Sequence, residues 1–407
     1  MSHLKPRVLI LDRFYFPDEQ ATSIYLTELT EGLADQFDFE MICGSPLVVT
    51  EKPASSPRCR IHQVPALKFP KDFLFSRALN DLSFLFSAFI RGIFLPSPDL
   101  FVSQTSPPCI WWVAFLLSRW HRRKWVHISQ DVFPENLREL MNGKCPSVLG
   151  GVERLNRLIL RKAGRIVVIG DDMKQGFLNR GFSPDKVTRI FNWVDTKLTR
   201  PLPQKNPFTG SKGLADKFVV LYAGNLGRIY NLEDLMGAAE QLRNYPEIQF
   251  VFVGSGALKK NLIHQVRSRG LAHIKFLPFE PRSKLAEVLA SASVSIILLR
   301  KGMAGLSVPS KIYSILASGR PVLACVEETS DIARIVRESQ AGLVIPPGNP
   351  QALARAIEEL FHEREKAREM GLKARRYIET MDFKRHALQG YAQLFKEVLT
   401  LGCLENE

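Results

Sequence analysis

Two glycine-containing loops in the second half of the chain carry residue types that bind phosphate. In the first, the apolar run 218–222 leads into a loop that contains Gly224, Asn225, Gly227 and Arg228. Glycines let backbone amides come close to an anion, and a guanidinium can donate to two of its oxygens. Apolar residues recur at near-helical spacing over 232–242, so we expect a helix N-terminus to face the same place. The pattern predicts half of a site for a diphosphate.

The second loop has the same character and lies downstream. Residues 304–311 include Val308, Pro309, Ser310 and Lys311, and a helix-like run follows over 312–317. The alternative for either loop is an ordinary strand-to-helix turn, with Arg228 exposed to water. Glycine spacing alone does not separate the two interpretations, and the presence of two such loops favours phosphate binding.

The elements that position these loops alternate in type. β-rich and helix-like runs alternate over 7–190 and again over 218–345, which is typical of βαβ units with parallel sheets. We predict an α/β protein with two doubly wound, Rossmann-like domains, at 1–197 and 214–380. A Pro- and Lys-rich linker is expected at 198–213. Helices are expected over 350–376 and 382–401, with the C-terminal segment 381–407 packing back on the first domain. Ligands of open α/β sheets bind at the carboxyl ends of the strands, so the site is expected in a central cleft between the domains.

Composition limits the class of protein. The 407 residues are 45% hydrophobic, enough for two cores. Six cysteines form no CxxC pair and no cluster with histidine, which argues against structural zinc or a disulfide framework. The apolar run 8–11 is too short for a secretory signal, so we expect a cytoplasmic protein. The formal net charge of +14 calls for an anionic partner. No nucleic-acid-binding motif is present, which leaves phosphorylated substrates and an acidic membrane.

Two segments of the first half are candidates for that membrane contact. The apolar run 107–117 is followed by a basic cluster at 119–124, and the segment 73–95 is rich in Phe and Leu. An aromatic stretch beside basic residues is typical of a helix that lies on a membrane surface. The alternative is that both are core-facing helices of an α/β domain. No apolar run approaches the roughly twenty residues that span a bilayer.

The order of the motifs, more than any single one, identifies a family. The chain resembles family 4 glycosyltransferases of the GT-B fold, particularly the enzymes of bacterial cell-surface polysaccharide synthesis. The resemblance runs through 127–137 (HISQDVFPENL), 190–195 (IFNWVD), 220–228 (VLYAGNLGR), 252–256 (FVGSG), 275–279 (KFLPF), 308–324 (VPSKIYSILASGRPVLA) and 341–350 (AGLVIPPGNP).

The resemblance implies transfer of a sugar from a nucleotide diphosphate donor, with UDP favoured, to a lipid-linked or other saccharide acceptor. It implies retention at the anomeric carbon, no metal and no other cofactor. The C-terminal domain would hold the donor, with Arg228 and Lys311 acting on the diphosphate. The remaining donor-binding residues would be Gly224, Asn225, Gly227, Leu277, Pro278, Phe279, Val308, Pro309 and Ser310.

The N-terminal domain would bind the acceptor through Glu19, Thr22 and Glu135. Asp131 is a further catalytic candidate, as a contact for the acceptor hydroxyl or as its proton acceptor. The alternative for Asp131 is an N-cap of the helix expected over 136–141. His127 is expected to be a satisfied histidine near a strand end. The protein is expected at the inner face of the plasma membrane.

The chain departs from the family pattern at three places. Many members carry two glutamates at the positions of Leu306 and Ser314, and neither position holds a carboxylate here. The lysine that usually follows the arginine of the first glycine loop is missing, and Lys311 is the candidate replacement. Residues 18–21 stand where a glycine pair is frequent. If the leaving phosphate oxygen accepts the proton of the acceptor, no dedicated base is required, and Arg228 and Lys311 would dominate catalysis.

Two other functions are compatible with the sequence. A sugar-nucleotide epimerase of related architecture would need carboxylates and a histidine in the cleft. A non-catalytic nucleotide-sugar binder is compatible with the missing glutamates.

Overall fold

The computed structural model describes residues 5–47, 49, 57–69, 74–141 and 147–401. The chain forms two compact units. The first comprises residues 1–191 and 385–407, and the second comprises residues 192–384.

The first unit is built on a seven-stranded parallel sheet in the order β3-β2-β1-β4-β5-β6-β7. Its central strands are buried on both faces and accordingly lack polar alternation. The strands are β1 Arg7–Leu11, β2 Asp38–Cys43, β3 Cys59–Gln63, β4 Leu100–Ser103, β5 Lys124–Ser129, β6 Arg165–Val168 and β7 Val187–Arg189.

The helices of the first unit connect these strands. They are α1 Ala21–Leu33, α2 Leu74–Phe94, α3 Ile110–Trp120, α4 Glu135–Leu140, α5 Ser147–Leu160 and α6 Asp171–Asn179, with a 3-10 turn at Pro184–Lys186. The crossovers through α2, α3 and α5 all move in one direction along the sheet, which places these three helices on one face of it.

The second unit repeats the plan with a six-stranded parallel sheet in the order β10-β9-β8-β11-β12-β13. Its strands are β8 Phe218–Ala223, β9 Ile248–Val253, β10 Ile274–Leu277, β11 Val294–Leu298, β12 Val322–Cys325 and β13 Gly342–Ile345. Its helices are α7 Pro207–Lys212, α8 Leu232–Gln241, α9 Lys259–Ser268, α10 Leu285–Ala290, α11 Lys311–Ala317, α12 Asp331–Ser339, α13 Pro350–His362 and α14 Arg364–Met381, with a 3-10 turn at Arg282–Lys284. In both sheets the strand order reverses beside the first strand, which is where doubly wound folds bind ligands.

The segment 198–213, predicted to be a linker, lies in the second unit and contains α7. Asn206 begins this helix with a capping box, because its side chain accepts from the Thr209 amide at 3.1 Å and its own amide donates to the Thr209 hydroxyl at 2.9 Å. Phe208 is buried. The sequence did not predict this short helix, because a Pro- and Lys-rich composition is typical of a linker.

The last helix, α15 Phe383–Leu401, belongs to the first unit from Arg385 onward. The ring of Phe395 packs edge-on against Phe37, with centroids 5.7 Å apart. The Lys396 ammonium donates to the side chain of Gln36 at 2.7 Å. The predicted return of the C-terminal helix to the first domain is confirmed.

Two elements differ from the predictions. The helix expected over 350–376 is two helices, because Glu363 leaves helical geometry between α13, which packs on α8, and α14, which packs on α11. No Gly or Pro marks that break. The edge strand β3 has mostly exposed or half-exposed residues, so its sequence gives little apolar alternation.

Candidate functional site

The first glycine loop follows β8 and is held against the loop after β9 by backbone hydrogen bonds. The Gly224 amide donates to Val253 at 2.9 Å and the Leu226 amide to Ser255 at 2.8 Å. Gly254 has a φ of 149°, and a Cβ at that position would lie 2.0 Å from the Gly224 carbonyl oxygen. A glycine is therefore required at position 254 for the two loops to approach each other. The 252–256 motif contains Gly254, but the sequence did not predict this packing role.

Lys311, at the start of α11, reaches the underside of this loop. Its Nζ lies 3.1 Å from where a Cβ on Gly224 would be, and Gly224 itself has a φ of 137°. The ammonium stands 3.7 Å from the ring centre of Tyr222 and 4.9 Å from that of Tyr230. The Tyr222 hydroxyl donates to the Asn225 carbonyl at 2.8 Å, which ties the ring to the loop. The structure thus brings the two predicted phosphate loops together.

The Lys311 ammonium is buried and has no hydrogen-bond partner among the described residues. Burial lowers the pKa of Lys311 to about 7. Cation–π contacts with the two tyrosines offset part of that cost. An amine in this state gains most from an anion that reaches it, because the anion both pairs the charge and favours protonation.

Arg228 lies in the turn between β8 and α8 and is exposed. Within the described residues no ion pair or side-chain hydrogen bond holds its guanidinium, so it is free to meet a ligand. The sequence pattern also predicted a helix N-terminus at this loop, where the helix dipole would favour an anion. The first turn of α8 contains Glu233 and Asp234, whose carboxyl groups oppose the binding of an anion there.

The loop after β11 is fixed from two sides. The Arg300 amide donates to the Ile229 carbonyl at 2.9 Å, which joins this loop to the first glycine loop. The Glu327 carboxylate accepts from the amides of Gly302 at 2.9 Å and Ala304 at 3.4 Å. Sequence reasoning missed Glu327, since nothing in the sequence shows that a residue after β12 shapes the loop after β11.

The remaining predicted donor residues are in two places. Val308 and Pro309 are buried and Ser310 is partly exposed, directly before Lys311. Leu277 ends β10, Pro278 and Phe279 follow it, and the Phe279 side chain is 45% exposed. The Leu277 carbonyl already accepts from the Gly254 amide at 3.1 Å and from the Lys259 ammonium at 3.4 Å.

In the first unit, the loop after β1 is organised by buried carboxyl groups. Asp12 accepts from the amides of Phe14 at 2.8 Å and Ser106 at 3.3 Å, and burial raises its pKa well above the usual range. Asp18 accepts from the Gln20 amide at 3.0 Å and the Leu47 amide at 2.6 Å. An aspartate therefore holds the turn at the place where the family resemblance led us to expect a glycine pair. Glu19 and Thr22 follow on this loop and the start of α1, both partly exposed.

A hydrogen-bonded bridge joins the ends of β4 and β5. The Thr105 hydroxyl donates to the Ile128 carbonyl at 3.3 Å and accepts from the Gln130 amide at 2.8 Å. Asp131 follows Gln130 and is partly exposed. The N-cap of α4 is Pro134 and no side chain caps it, so the alternative interpretation of Asp131 as an N-cap is wrong.

Asp131 and Glu135 line one cavity within the first unit. Arg180 Nε lies 3.4 Å from Glu135 Oε1. Glu135 Oε2, Arg180 Nη1 and Arg157 Nε are all buried without a hydrogen-bond partner in the described part of the chain. Buried polar atoms that lack partners favour a polar ligand or water in the cavity.

Sequence reasoning identified Asp131 and Glu135 but missed Arg157 and Arg180. Arg157 lies on α5 and Arg180 directly follows α6, and only the tertiary fold brings them both to the cavity. Trp111, Phe133 and Phe177 complete the apolar part of the wall. Glu19 and Thr22 do not line this cavity.

His127 lies at the inner end of the same cavity. Its Nδ1 is 3.0 Å from the Ser103 hydroxyl, which also accepts from the Trp125 indole at 2.8 Å. Burial lowers the pKa of His127 to about 3, so the imidazole is neutral at physiological pH. This agrees with the expectation of a satisfied histidine.

The described residues contain no group of three or more His, Cys, Asp or Glu side chains placed to hold a metal ion. None of their helices combines the length and apolarity that crossing a bilayer requires.

The chain matches two family models, one in each half. Residues 21–193 match the glycosyl transferase 4-like domain, and residues 206–377 match glycosyl transferases group 1. The probable glycosyltransferase WbjE of Pseudomonas aeruginosa is 30% identical over 369 residues, which cover 87% of this chain and 89% of that protein. The putative colanic acid biosynthesis glycosyl transferase WcaI of Escherichia coli is 25% identical over 222 residues, 53% of each chain.

Solved structures show the same fold. Alr3699/HepE of Anabaena, in complex with UDP-glucose, has a TM-score of 0.71 at 17% identity, over 97% of this chain and 99% of that one. WaaG, a glycosyltransferase involved in lipopolysaccharide biosynthesis, has a TM-score of 0.72 at 14% identity, over 95% and 99% of the two chains. The chain is therefore an enzyme of glycosyltransferase family 4, with the GT-B fold.

Proposed function

We propose that this enzyme transfers a sugar from a UDP-sugar to a lipid-linked saccharide, with retention at the anomeric carbon, in the cytoplasm at the inner face of the membrane. The observation that carries the donor half of the proposal is the buried, unpartnered ammonium of Lys311 beside Gly224. UDP is favoured as the nucleotide because Alr3699/HepE binds UDP and UDP-glucose in the same fold.

The donor diphosphate is bound by two side-chain cations, Arg228 and Lys311. Arg228 is exposed and can reach the outer oxygens, while Lys311 meets the inner side through the gap at Gly224. Gly227 and Asn225 supply the backbone around it. Val308, Pro309 and Ser310 hold Lys311 in place, and the turn at Leu277, Pro278 and Phe279 borders the base. With both cations there, we propose that neither a metal ion nor another cofactor takes part.

The absence of glutamates at Leu306 and Ser314 bears on the reaction step. We propose that the bond from the anomeric carbon to the diphosphate oxygen breaks as charge develops on that oxygen. The acceptor hydroxyl attacks from the same face and gives its proton to the departing oxygen. Arg228 and Lys311 stabilise that charge, and removal of one such group typically costs on the order of 3 kcal/mol.

The acceptor half rests on the first unit. Glu135 Oε2 lacks a partner and lies in a cavity with Asp131 and aromatic side chains, a combination suited to sugar hydroxyls and sugar faces. Glu19, on the loop after β1, and Thr22, at the start of α1, are the outer acceptor contacts. Asp131 orients the attacking hydroxyl.

Replacement of Arg228 tests the donor half. We expect Arg228→Ala to lower turnover about a hundredfold or more, because one group that stabilises the leaving charge is removed. Since Arg228 is exposed and unpaired, the melting temperature should not change. Transfer is measured with radiolabelled donor and a lipid-linked acceptor. Arg355→Ala, an exposed arginine on α13, is the matched control and should transfer at the wild-type rate.

A panel of nucleotide sugars identifies the donor. A ligand at a hundred times its Kd raises the free energy of unfolding by about 2.7 kcal/mol, so thermal shift ranks the panel. Wild-type transfer rates in Arg228→Ala would contradict the phosphate role. Donor binding without transfer or hydrolysis would instead indicate a binder, and epimerised sugar formed without acceptor would indicate an epimerase.

A further inference from the structure

Helix α2 is apolar on both faces. Its inner face buries Phe84 and Ala88 completely. Its outer face exposes large hydrophobic side chains at every fourth residue, namely Leu82 at 60%, Phe86 at 68%, Ile90 at 39% and Phe94 at 77%. A helix that covers a soluble core normally has polar residues on the outer face. The outer stripe of α2 therefore has a cause other than packing within the unit.

The same pattern continues on the two neighbouring helices. On α3, Leu116 and Trp120 are 49% and 64% exposed, one helical turn apart. On α5, Val148, Leu155 and Leu158 are 71%, 41% and 60% exposed. Helix α3 contacts both α2 and α5, and all three lie on one face of the sheet. We call these nine side chains, with the helices that carry them, the three-helix face.

This exposure is local to the first unit. The three-helix face holds nine of the nineteen large hydrophobic side chains that are exposed in the described chain, whereas the second unit has four, which are scattered. The outer surfaces of the second unit carry ion pairs instead, such as Arg334 with Glu338 on α12 and Arg368 with Glu365 on α14. Concentrated apolar exposure of this kind marks an interaction surface.

The fringe of the three-helix face is basic. Each helix returns antiparallel to the strands, so the C-terminal ends of all three lie at the edge where the strands begin. At those ends stand exposed cations: Arg91 on α2, Arg119, Arg122 and Arg123 around the end of α3, and Arg161 and Lys162 after α5. Of the nearby acids, Asp81 pairs with Arg13 and Glu153 pairs with Arg138 and Arg157, none of which belongs to this fringe. Asp99 lies 3.8 Å from Arg123 and offsets that one cation, so five fringe cations remain without an acidic partner among these three acids.

We propose that the three-helix face docks on an anionic lipid bilayer, with its aromatic and aliphatic side chains at the boundary between headgroups and acyl chains and its arginines on lipid phosphates. Apolar residues with a basic border are what such a surface requires. A second copy of the chain is a poorer partner, since it would bring one basic fringe against another. The inference rests on the proposed function, because a lipid-linked acceptor requires the enzyme at the membrane.

Vesicle flotation of the full chain tests the docking surface. Wild-type protein is mixed with vesicles of phosphatidylcholine alone, or of phosphatidylcholine with phosphatidylglycerol, and the floating fraction is measured. We expect binding to the anionic vesicles, and at least a tenfold loss of partition in Phe86→Ser/Phe94→Ser. The matched control Leu372→Ser changes a 55% exposed leucine on α14 and should float like wild type.

A second variant tests the charge. Arg119→Gln/Arg122→Asn should lose severalfold in binding to anionic vesicles and nothing on neutral ones. Asparagine is chosen at position 122 because the φ there is 54°, which asparagine tolerates. All substitutions are at exposed positions, and unchanged melting curves confirm that each variant is folded.

The outcomes separate docking from the proposed function. Wild-type protein that stays with the soluble fraction beside anionic vesicles at low salt overturns the docking surface, as does equal flotation of Phe86→Ser/Phe94→Ser. A dimer in gel filtration that this same variant abolishes would assign the face to a second copy and also overturn it. Flotation that depends on Phe86 and Phe94, in a protein that no nucleotide sugar stabilises, upholds docking while contradicting the proposed donor function.

Discussion

The first strand of each sheet ends at the same point of the topology, yet the loops there carry opposite chemistry. After β8 the second unit has glycine turns that carry Arg228, and Lys311 reaches them from the start of α11; neither cation has an acid partner among the described residues. After β1 the first unit has buried carboxyl groups, Asp12 and Asp18, that accept from backbone amides. One strand order thus supports an edge with two cations that lack acid partners and an edge organised by buried carboxyl groups. The strand order determines where such an edge lies, and the loop residues determine which charged groups it carries.

The largest expected effect of a single substitution is a loss of stability at a glycine of the second unit, Gly254. Gly254→Ala forces a Cβ to within 2.0 Å of the Gly224 carbonyl oxygen, at a φ of 149°. We expect a loss of more than about 3 kcal/mol in the free energy of unfolding, or no soluble protein, because the obstructing atom is backbone. Urea denaturation measures this loss.

Gly210→Ala is the matched control in the same unit. Gly210 lies within α7, and a Cβ there would have nothing within 4 Å. Alanine should be neutral or stabilise by up to about 1 kcal/mol. Equal stability of the two variants would show that the close approach of the two loops is not needed.

The next largest effect is expected at Lys311. Lys311→Met keeps the length of the side chain but removes its charge, so turnover should fall about a hundredfold, corresponding to about 3 kcal/mol of lost stabilisation of the leaving group. The same variant should be more stable than wild type near neutral pH, because it removes an unpaired buried ammonium.

The pH dependence of that stability gain follows from the pKa of Lys311. It is about 7 in the folded protein and about 10.4 in an unfolded chain, so the unfolded state binds more protons between these values. Wild-type stability therefore rises with pH over this interval. The advantage of Lys311→Met should be full below pH 7 and vanish towards pH 10. A variant that is less stable than wild type at pH 7 would indicate that Lys311 has a structural role.

A smaller effect is expected in the first unit. Glu135→Gln keeps the shape of the side chain and removes the charge of the unpartnered Oε2, so the KM for acceptor should rise about tenfold, or about 1.4 kcal/mol. The affinity for the donor should not change. Glu139→Gln, an exposed glutamate on the same helix, should behave like wild type. A change in donor affinity with an unchanged acceptor KM would contradict the assignment of the acceptor to the first unit and of the donor to the second.

The sequence predicted the sheets well because buried parallel strands leave continuous apolar runs, as in 218–222 and 294–298. The resemblance to family 4 glycosyltransferases also assigned Lys311 and Gly224 to the same diphosphate, although eighty-seven positions separate them in the chain. It did not predict that the ammonium rests between Tyr222 and Tyr230, since that depends on rotamers and on the turn after β8.

The sequence did not predict other features, because they depend on the tertiary structure. The cavity at Glu135 contains Arg157 from α5 and Arg180 from the end of α6, and the sequence of each segment indicates only an amphipathic helix. The aromatic segments were expected either in the core or on a membrane. On α2 the structure shows both a buried and an exposed apolar face, which a composition of Phe and Leu cannot distinguish.

The most direct test of the central claim is to count protons when the nucleotide binds. Titration calorimetry with UDP at pH 8, in buffers of different ionisation enthalpy, gives the number taken up. Lys311 is mostly neutral in the free protein at that pH, and the diphosphate should restore its charge. We expect uptake approaching one proton at pH 8, little at pH 6, and none in Lys311→Met, which should also bind UDP more weakly. Tight binding of UDP with no proton uptake, unchanged in Lys311→Met, would contradict the account.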